Sequence, residues 1–476
     1  MLLTKASKPF LITTLVIILF TTYILLNESN DYWVILLIIL LIMQTGFKPN
    51  EQMLLPILAA LTLTEFYFLI SGKRFYFAEF LFYPLVVKYL ISSTRGKISK
   101  LSKQISIIIV LLVVVHLINY FLGFSDFLSM LYRLRSFAFP LVLIFVVANL
   151  IKDEVALKRV INIIIIISLV ATIVVYLQYY TGNFYILQKS LTTEVDSQTY
   201  MQQYVQGTED SIFFSYLGLK ILGAIPPVGL NYYKFGYSEK IIVPFVLCFS
   251  FFLFNSRKRK KIVYLILSMS FFIATLLTGS RSILLTLIFA PLILLGFQNG
   301  KMKWKHINFI IFSFFGFLYL LAPTLKVINL EEFGTLLSRI FYMADFYKYI
   351  INHPIVLLFG SNPDSFMKFA KTGQPPHHFF SFGIIYEGII VTTILFGALY
   401  FLLKKTFNVQ NLKQDLLAIH YGLWVSIFSF VFIYGQTSYV TWSTPHNMFF
   451  CIIIGLLIAS YNIIFNKNEL YRHSRP

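Results

Sequence analysis

Charged side chains are scarce in this sequence. They make up 12% of its 476 residues, while hydrophobic residues make up 58%; a typical soluble domain has roughly 25% charged residues. Cysteine is equally scarce, and Cys248 and Cys451 both lie in apolar runs without cysteine or histidine neighbours at metal-ligand spacing. The composition excludes an ordinary soluble domain, and the two cysteines are expected to be core residues.

Apolar runs near the length of ~20 residues that a bilayer requires recur along the whole chain. The first run lacks a small-residue cleavage site after it, which favours a retained helix over a signal peptide. The pattern predicts an all-α protein, a single integral membrane domain over residues 1–476 formed by a polytopic transmembrane helical bundle. About fourteen spans are expected, at 10–26, 32–46, 53–70, 75–91, 105–122, 136–150, 160–180, 241–255, 262–278, 283–297, 307–325, 383–403, 414–434 and 448–464.

Lysine and arginine crowd every second connection between these spans. With the amino terminus in the cytoplasm, 24 of the 39 lie in inner segments, 14 in outer segments and one, Lys88, within a span. Because cationic loops resist translocation, this distribution predicts that both termini are cytoplasmic. The net charge of +19 is then mainly a topology signal and needs no nucleic-acid partner.

Two connections are long, residues 181–240 and 326–382, and the charge pattern predicts that both lie on the outer (periplasmic) face. Apolar residues at helical spacing predict a helix over 331–351 that lies on the membrane surface. A second short helix is expected between Asn362, as its N-cap, and Gly373. Ordered loops of this length indicate an outward-facing site; the alternative is that they only tie helices together.

Arginine and histidine at the outer edge are the residues that could carry chemistry. Arg281 lies in a Gly-Ser-Arg-Ser turn between two apolar runs, and Arg339 lies on the polar side of the predicted surface helix. Guanidinium suits phosphate, because it donates two parallel hydrogen bonds; for Arg281 an interfacial anchor is the alternative. His377 and His378 follow a Pro-Pro pair just before a span, and histidine accepts a proton near neutral pH.

Acidic residues are rare, and two of them interrupt predicted spans. Glu65 and Glu79 each lie about one and a half turns below an outer turn, on consecutive helices. An ionisable group in a span is costly and usually faces a cavity or a partner; Arg133 and Arg135 are the available partners.

Support for a metal site is weak. Glu194 and Asp196, in the first long loop, are the only carboxylates at two-residue spacing, and one such pair is a poor indication of Mg²⁺ or Mn²⁺. No metal and no other cofactor are therefore expected. If phosphate chemistry occurs, arginines must stabilise the leaving charge.

Four stretches follow one another along the outer face. They are Lys220 to Pro227, the Thr-Gly-Ser-Arg turn, Ser338-Arg339 with His353-Pro354 and Gly360, and His377-His378 with Glu387-Gly388. In this order they resemble the bacterial O-antigen ligase and O-antigen polymerase superfamily, over roughly residues 200 to 400. Lys220 stands where that family has arginine, and His378 where it has asparagine. By its distance to Gly388, His377 matches the family histidine best, while His378 stays open.

The resemblance implies a metal-independent, inverting membrane glycosyltransferase. Its donor is a glycan on polyprenyl pyrophosphate, and its acceptor is a hydroxyl of a second glycan. It implies pyrophosphate binding by two arginines, supporting charge from a lysine and acceptor activation or positioning by a histidine. The expected catalytic residues are Arg281, Arg339, His377 and His378, and the expected substrate-binding residues are Lys220, Arg133, Arg135, Glu65 and Glu79.

Three activities fit this expectation. Polymerisation of lipid-linked repeat units is favoured, because the chain departs from the usual motif residues and the polymerases are the more diverse group. Ligation of the glycan to lipid A core is the alternative, and a lipid-linked glycan transporter or flippase is the second. The expected location is the bacterial inner (plasma) membrane, with the lipid-linked glycans, the bilayer and other polysaccharide-assembly membrane proteins as partners.

The predicted topology is open to a direct test. Reporter fusions after Lys261 and Lys371 should report cytoplasm and the outer side, respectively, because the basic residues are split 24 to 14 between the two faces. A cytoplasmic signal from the Lys371 fusion would contradict the outer location of every expected catalytic residue.

Overall fold

A computed structural model describes most of the chain between residue 51 and residue 473. The described residues are 51–63, 67–70, 73–93, 100–122, 127–181, 234–278, 281–313, 345–360, 366, 368–370, 379–409, 414–436 and 444–473. The predicted spans 10–26 and 32–46 lie outside them.

The described part consists mainly of helices and contains one short hairpin. Its strands are β1 (Tyr67–Ile70) and β2 (Lys73–Tyr76). Its helices are α1 (Leu54–Leu63), α2 (Phe77–Ser93), α3 (Lys100–Phe121), α4 (Phe127–Arg133), α5 (Phe139–Leu150), α6 (Glu154–Thr181), α7 (Lys234–Phe254), α8 (Lys258–Leu277), α9 (Arg281–Gln298), α10 (304–313), α11 (345–352), α12 (Pro354–Phe359), α13 (Phe379–Thr406), α14 (Gln414–Phe428) and α15 (Thr444–His473).

Within the described part of the chain, five helical stretches are long and apolar enough to cross a membrane, and each coincides with a predicted span. They are Glu154–Tyr180, Lys258–Leu277, Phe380–Thr406, Gln414–Ile433 and His446–Phe465. Four shorter apolar helices, at Glu51–Thr62, Ser106–Phe121, Phe139–Leu150 and Leu285–Gln298, also fall on predicted spans. A helical membrane protein is thus supported, while the figure of fourteen spans stays a prediction.

The surface of α8 has the character that lipid contact requires. Ile262, Ile266, Met269, Ile273 and Leu276 follow one another at helical spacing, and all five side chains are exposed. A continuous exposed apolar stripe of this length is unusual on a soluble protein, where it would promote association. Against hydrocarbon it is an ordinary helix surface.

One predicted span is wrong in its second half. The span 53–70 was expected to be a single helix, but α1 ends at Leu63, and β1 pairs antiparallel with β2 with Tyr67 opposite Tyr76 and Ile70 opposite Lys73. Aromatic and β-branched residues favour strands. Only two residues, one of them glycine, separate β1 from β2, and such a link is the commonest hairpin connection. The apolar aromatic residues of β1 meet the hydropathy criterion for a membrane span as well as a helix would, which explains the wrong prediction.

Other boundaries shift by a few residues. The helix expected from 241 begins at Lys234, and the span expected from 383 begins at Phe379. The described part of the predicted surface helix is α11, and residues 366, 368 and 369 are helical where the second short helix was expected. Both cysteines are buried and unpaired with each other, as expected of core residues.

The helices form two compact units, of which the first contains α1, α2, the hairpin and most of α6, α7 and α8. Arg159 Nη1 on α6 lies 2.8 Å from Glu51 Oε1 just before α1. Deeper in the unit, the Thr172 and Tyr237 hydroxyls are 2.8 Å apart and join α6 to α7. Since both hydroxyls are buried, this hydrogen bond satisfies polar groups that apolar surroundings would otherwise penalise.

The second unit contains α3 to α5 and nearly all of α9 to α15. Its centre is formed by α14 and α15, whose apolar side chains are almost all buried, and α15 packs along α5. Gly455 permits this packing: a Cβ added there would lie 2.7 Å from Val147 Cβ and 3.0 Å from the Ile144 carbonyl oxygen. Small residues at such crossings let helix backbones approach closely.

Gly455→Ala should therefore destabilise the protein by about 1–3 kcal/mol, the usual range for overpacking. Gly397→Ala on α13 is the matched control, since nothing lies within 4 Å of a Cβ added there, and alanine is the better helix former. Thermal unfolding of both variants in detergent measures the difference. Equal midpoints would mean that α5 and α15 do not pack closely at Gly455.

Candidate functional site

Many of the residues expected in the site lie outside the described part of the chain. This applies to the expected cations and bases Lys220, Arg339, His377 and His378, and to Glu65. Their assignments stay predictions. The loop acids Glu194 and Asp196 lie outside it as well.

Arg281 lies between two helices, as predicted. Helix α8 ends at Leu277 and α9 begins at Arg281. Thr278 closes the end of α8, because its amide donates to the Ala274 carbonyl and its hydroxyl donates to the Thr275 carbonyl. The backbone of Arg281 therefore stands at a helix start, where a cationic residue can lie at the membrane boundary.

Glu79 has a structural role that the sequence interpretation missed. It is buried in the first turn of α2, and its Oε2 accepts a hydrogen bond of 2.7 Å from the Tyr76 amide. A glutamate that reaches back to the amide just before its helix satisfies a donor that the helix leaves unpaired. This contact gives the Glu79 carboxylate a structural role, and its expected contact with substrate stays a prediction.

Arg133 is buried where α4 ends, with 6% of its surface exposed. A π-helical segment, Leu134–Ala138, follows it directly and contains the half-buried Arg135. The Arg133 guanidinium carbon lies 5.5 Å from the centre of the Tyr386 ring, within range of a cation–π interaction. Segments of π-helix are rare and often lie at functional sites.

A carboxylate and an imidazole face each other beside Arg133. His116 Nε2 on α3 lies 3.2 Å from Glu387 Oε2 on α13, and the two side chains are 1% and 0% exposed. The contact is close enough for an ion pair but lacks the direction of a hydrogen bond. The charge of Arg133 acts on both groups and offsets part of the cost of burying the carboxylate.

Helix α13 is broken next to Glu387. Gly388 has φ +84° and ψ 164°, outside the helical region and accessible mainly to glycine. At the end of α12, Gly360 has φ +77°, and a Cβ added to it would lie 2.5 Å from the Tyr386 carbonyl oxygen. A Cβ on Gly388 would in turn collide with the Leu358 carbonyl. The two glycines thus seat α12 directly against the break.

Asn119 on α3 binds the end of α12 next to the break in α13. It follows His116 by one turn, and its Nδ2 donates to the Phe359 carbonyl at 3.1 Å. Within the described residues, Asn119 Oδ1 and both carboxylate oxygens of Glu387 have no hydrogen-bond partner although they are buried. Buried acceptors of this kind are uncommon in folded proteins and call for an explanation.

A second buried histidine shows what a purely structural arrangement looks like here. His420 on α14 places Nδ1 2.8 Å from the Ser460 hydroxyl and Nε2 2.8 Å from the Thr406 carbonyl. Both ring nitrogens have neutral partners, and no carboxylate approaches His420 in the described structure. His116 differs in facing a carboxylate next to a helix break, which is an arrangement suited to binding or proton exchange.

The sequence matches none of the protein-family models, and it matches none of the curated proteins. The resemblance to the O-antigen ligase and polymerase superfamily therefore stays a prediction that rests on four short motifs. The buried polar residues around Glu387 provide evidence on function that does not depend on this resemblance.

Sequence reasoning missed His116 and Asn119 as site residues, and it noted Glu387 only within a motif. The signal was present, because Glu387 is an ionisable residue inside a predicted span, the criterion that selected Glu65 and Glu79. His116 and Asn119 lie three residues apart in the apolar second half of α3, which places them on one face. What a linear sequence does not reveal is that these two elements meet.

Arg133 and Glu387 should prove energetically coupled. Arg133→Met and Glu387→Met each leave a buried charge without compensation, so each should cost about 3–5 kcal/mol of unfolding free energy. The double variant should cost less than the sum by at least about 1 kcal/mol. Chemical unfolding in detergent measures the four proteins, and strictly additive losses would contradict the coupling.

Arg159→Met provides the control for that cycle. Arg159 pairs with Glu51 at 2.8 Å, but its side chain is 42% exposed. Exposed ion pairs contribute about 0–1 kcal/mol. A loss for Arg159→Met comparable to that for Arg133→Met would mean that burial is not the cause.

Proposed function

We propose that this chain is a bacterial membrane glycosyltransferase that joins lipid-linked glycans on the outer face of the plasma membrane. The hydroxyl oxygen of an acceptor glycan attacks the first sugar of a glycan held on polyprenyl pyrophosphate. A new glycosidic bond forms, the bond to the pyrophosphate oxygen breaks, and the lipid pyrophosphate leaves with the electron pair. Inversion at the anomeric carbon follows from a single displacement.

The observation that carries the proposal is the position of the polar cluster His116, Arg133, Glu387 in apolar helices. His116 lies five residues before the end of α3, and Glu387 follows the first residue of α13 by eight. At 1.5 Å per residue these depths are about 8 and 12 Å. The basic-residue pattern assigns both helix ends to the outer face, where the expected catalytic arginines and histidines also fall.

The expected residues have distinct roles in this reaction. Arg281 and Arg339 bind the pyrophosphate and stabilise the charge that develops on it, with Lys220 in support. His377 or His378 takes the proton from the attacking hydroxyl or positions that hydroxyl. The pair directly precedes Phe379, where α13 begins, so this helix leads from the expected base to the buried Glu387.

Polymerase activity is the form that we favour, with another lipid-linked repeat as the acceptor. Ligation to lipid A core is the alternative, and the two differ only in that acceptor. Expected partners are the bilayer, the lipid-linked donor and other membrane proteins of polysaccharide assembly.

Transport of lipid-linked glycans is the second candidate function. A transporter is expected to have charged groups inside its helices, and the buried Glu387 is such a group. The spans at mid-depth otherwise contain almost no lysine or arginine, which favours chemistry at the outer face over a path across the bilayer.

The two functions separate in one experiment. Purified protein in detergent is given a synthetic glycan on polyprenyl pyrophosphate, without nucleotide and with excess chelator. A glycosyltransferase that relies on arginines should produce longer glycans under these conditions. Unchanged glycans in detergent, combined with movement of the lipid across proteoliposome membranes, would establish transport; rescue by added Mg²⁺ or Mn²⁺ would point instead to Glu194 and Asp196.

Arg281→Ala and Arg339→Ala should each lower turnover about 10²-fold or more, the scale for removal of a preorganised charge stabiliser. Lysine at either position should restore activity only in part, because it lacks the bidentate geometry. Arg259→Ala is the matched control, since Arg259 is exposed at the opposite end of α8 from Arg281, and it should remain within about twofold of wild type. Near-normal turnover of Arg281→Ala would make that arginine an interfacial anchor.

A further inference from the structure

Four helical segments converge on the break in α13. Helix α3 contributes His116 and Asn119, α4 ends in Arg133, Gly360 follows the end of α12, and α13 contributes Glu387 at the break itself. Broken helices in membrane proteins commonly bind a ligand at the break, because the interruption frees backbone groups inside the bilayer. The four segments belong to one compact unit.

The polar atoms at this point are mainly acceptors. Within the described part of the chain, both oxygens of Glu387 and Asn119 Oδ1 are buried and make no hydrogen bond. The Asn119 amide nitrogen is already engaged with the Phe359 carbonyl at 3.1 Å. A carboxylate has about four lone-pair positions, and the His116 contact at 3.2 Å approaches only one of its oxygens. A fitting ligand must therefore bring several hydrogen-bond donors.

Asn119 and Glu387 are held close to each other through α12. A Cβ added to Gly360 would lie 2.8 Å from the carbonyl carbon of Glu387. The residue before Gly360 is Phe359, which accepts the Asn119 hydrogen bond. The side-chain amide of Asn119 and the backbone of Glu387 thus border the same short stretch of α12 and Gly360.

The apolar surroundings of the cluster disfavour ionic ligands. Arg133 acts electrostatically on Glu387 and on His116. An ammonium or metal cation would bring a second positive charge near Arg133, and an anion would face the oxygens of Glu387. A neutral molecule with several hydroxyls satisfies the acceptors without either penalty.

We propose that the break in α13 is a binding site for the sugar of a glycolipid, with Glu387 and Asn119 accepting hydrogen bonds from its hydroxyls. His116 and Arg133 are positioning residues that hold the carboxylate. The inference rests on the proposed function and deepens it by assigning the acceptor sugar to this site. Polar residues that only hold helices together are the competing explanation, and ligand binding separates the two.

The test uses the full-length protein in lipid nanodiscs and unreactive probes. Octyl β-glycosides of glucose, galactose and N-acetylglucosamine present a sugar on a short chain, while octanol and an octyl polyoxyethylene present the chain without a sugar. Backbone hydrogen exchange over residues 379–392, measured by mass spectrometry, reports occupancy of the break. At least one glycoside should slow exchange in this segment, and the two sugar-free probes should not.

Glu387→Gln should weaken the apparent affinity for that glycoside at least tenfold, because the amide replaces an acceptor by a donor and removes the charge. Asn119→Leu should weaken it several-fold. The control is His420→Gln, which alters a buried histidine of the same unit whose ring nitrogens both have partners, and which should leave glycoside binding unchanged. Protection by no glycoside, equal protection by the sugar-free probes, or wild-type affinity in Glu387→Gln would overturn the proposal.

If Glu387→Gln does not fold, a labelling experiment on the wild type tests whether the sugar binds at the break. An octyl glycoside with a diazirine on the sugar should label residues near 116–119 and 384–388, in competition with the unmodified glycoside. Labels elsewhere, or labels that the glycoside does not displace, would overturn the site. Sugar binding at the break without glycan elongation would support the site and contradict the proposed function. Elongation without sugar binding at Glu387 would support the proposed function and contradict the site.

Discussion

Hydrocarbon surroundings offer no hydrogen bonds, so a membrane helix that breaks must find partners for its freed groups within the protein. The second unit is organised around such a break. Thr392 Oγ1 donates to the Gly388 carbonyl at 2.8 Å, and Asn119 donates to the last carbonyl of α12. Helix α12 is short and none of its residues is buried; the backbone contact at Gly360 and this hydrogen bond attach it to its neighbours. The positions of α3, α12 and α13 thus follow from one interruption.

Hydropathy predicted the long helices well, because a run of about twenty apolar residues is a strong signal that needs no knowledge of neighbours. It predicted the hairpin wrongly, because Tyr67 to Ile70 are apolar and suit a strand as well as a helix. The sequence did not predict the break at Gly388 for a related reason. A single glycine in an apolar run is tolerated in a helix, and its backbone is set by the approach of α12, which lies more than twenty residues earlier in the chain.

The candidate site was foreseen only in part. Arg133 was selected from the sequence as an outer arginine in need of a carboxylate partner, and in the structure its charge acts on Glu387, which was not among the expected partners. Pairing across distant segments is a property of packing and leaves little trace in local sequence. Glu79 has a local role as well, because its carboxylate caps the first turn of its own helix.

The contact between Gly360 and Gly388 also constrains how this sequence can change during evolution. Each glycine lies where a Cβ would meet backbone atoms of the other segment, and each has a positive φ. A side chain at either position would push the two backbones apart, and no adjustment of a neighbouring rotamer would relieve it. Related sequences that retain the break should therefore keep both glycines. Sequences that lose one should lose the other and the break with it, and with them any reason to keep an acid before Gly388.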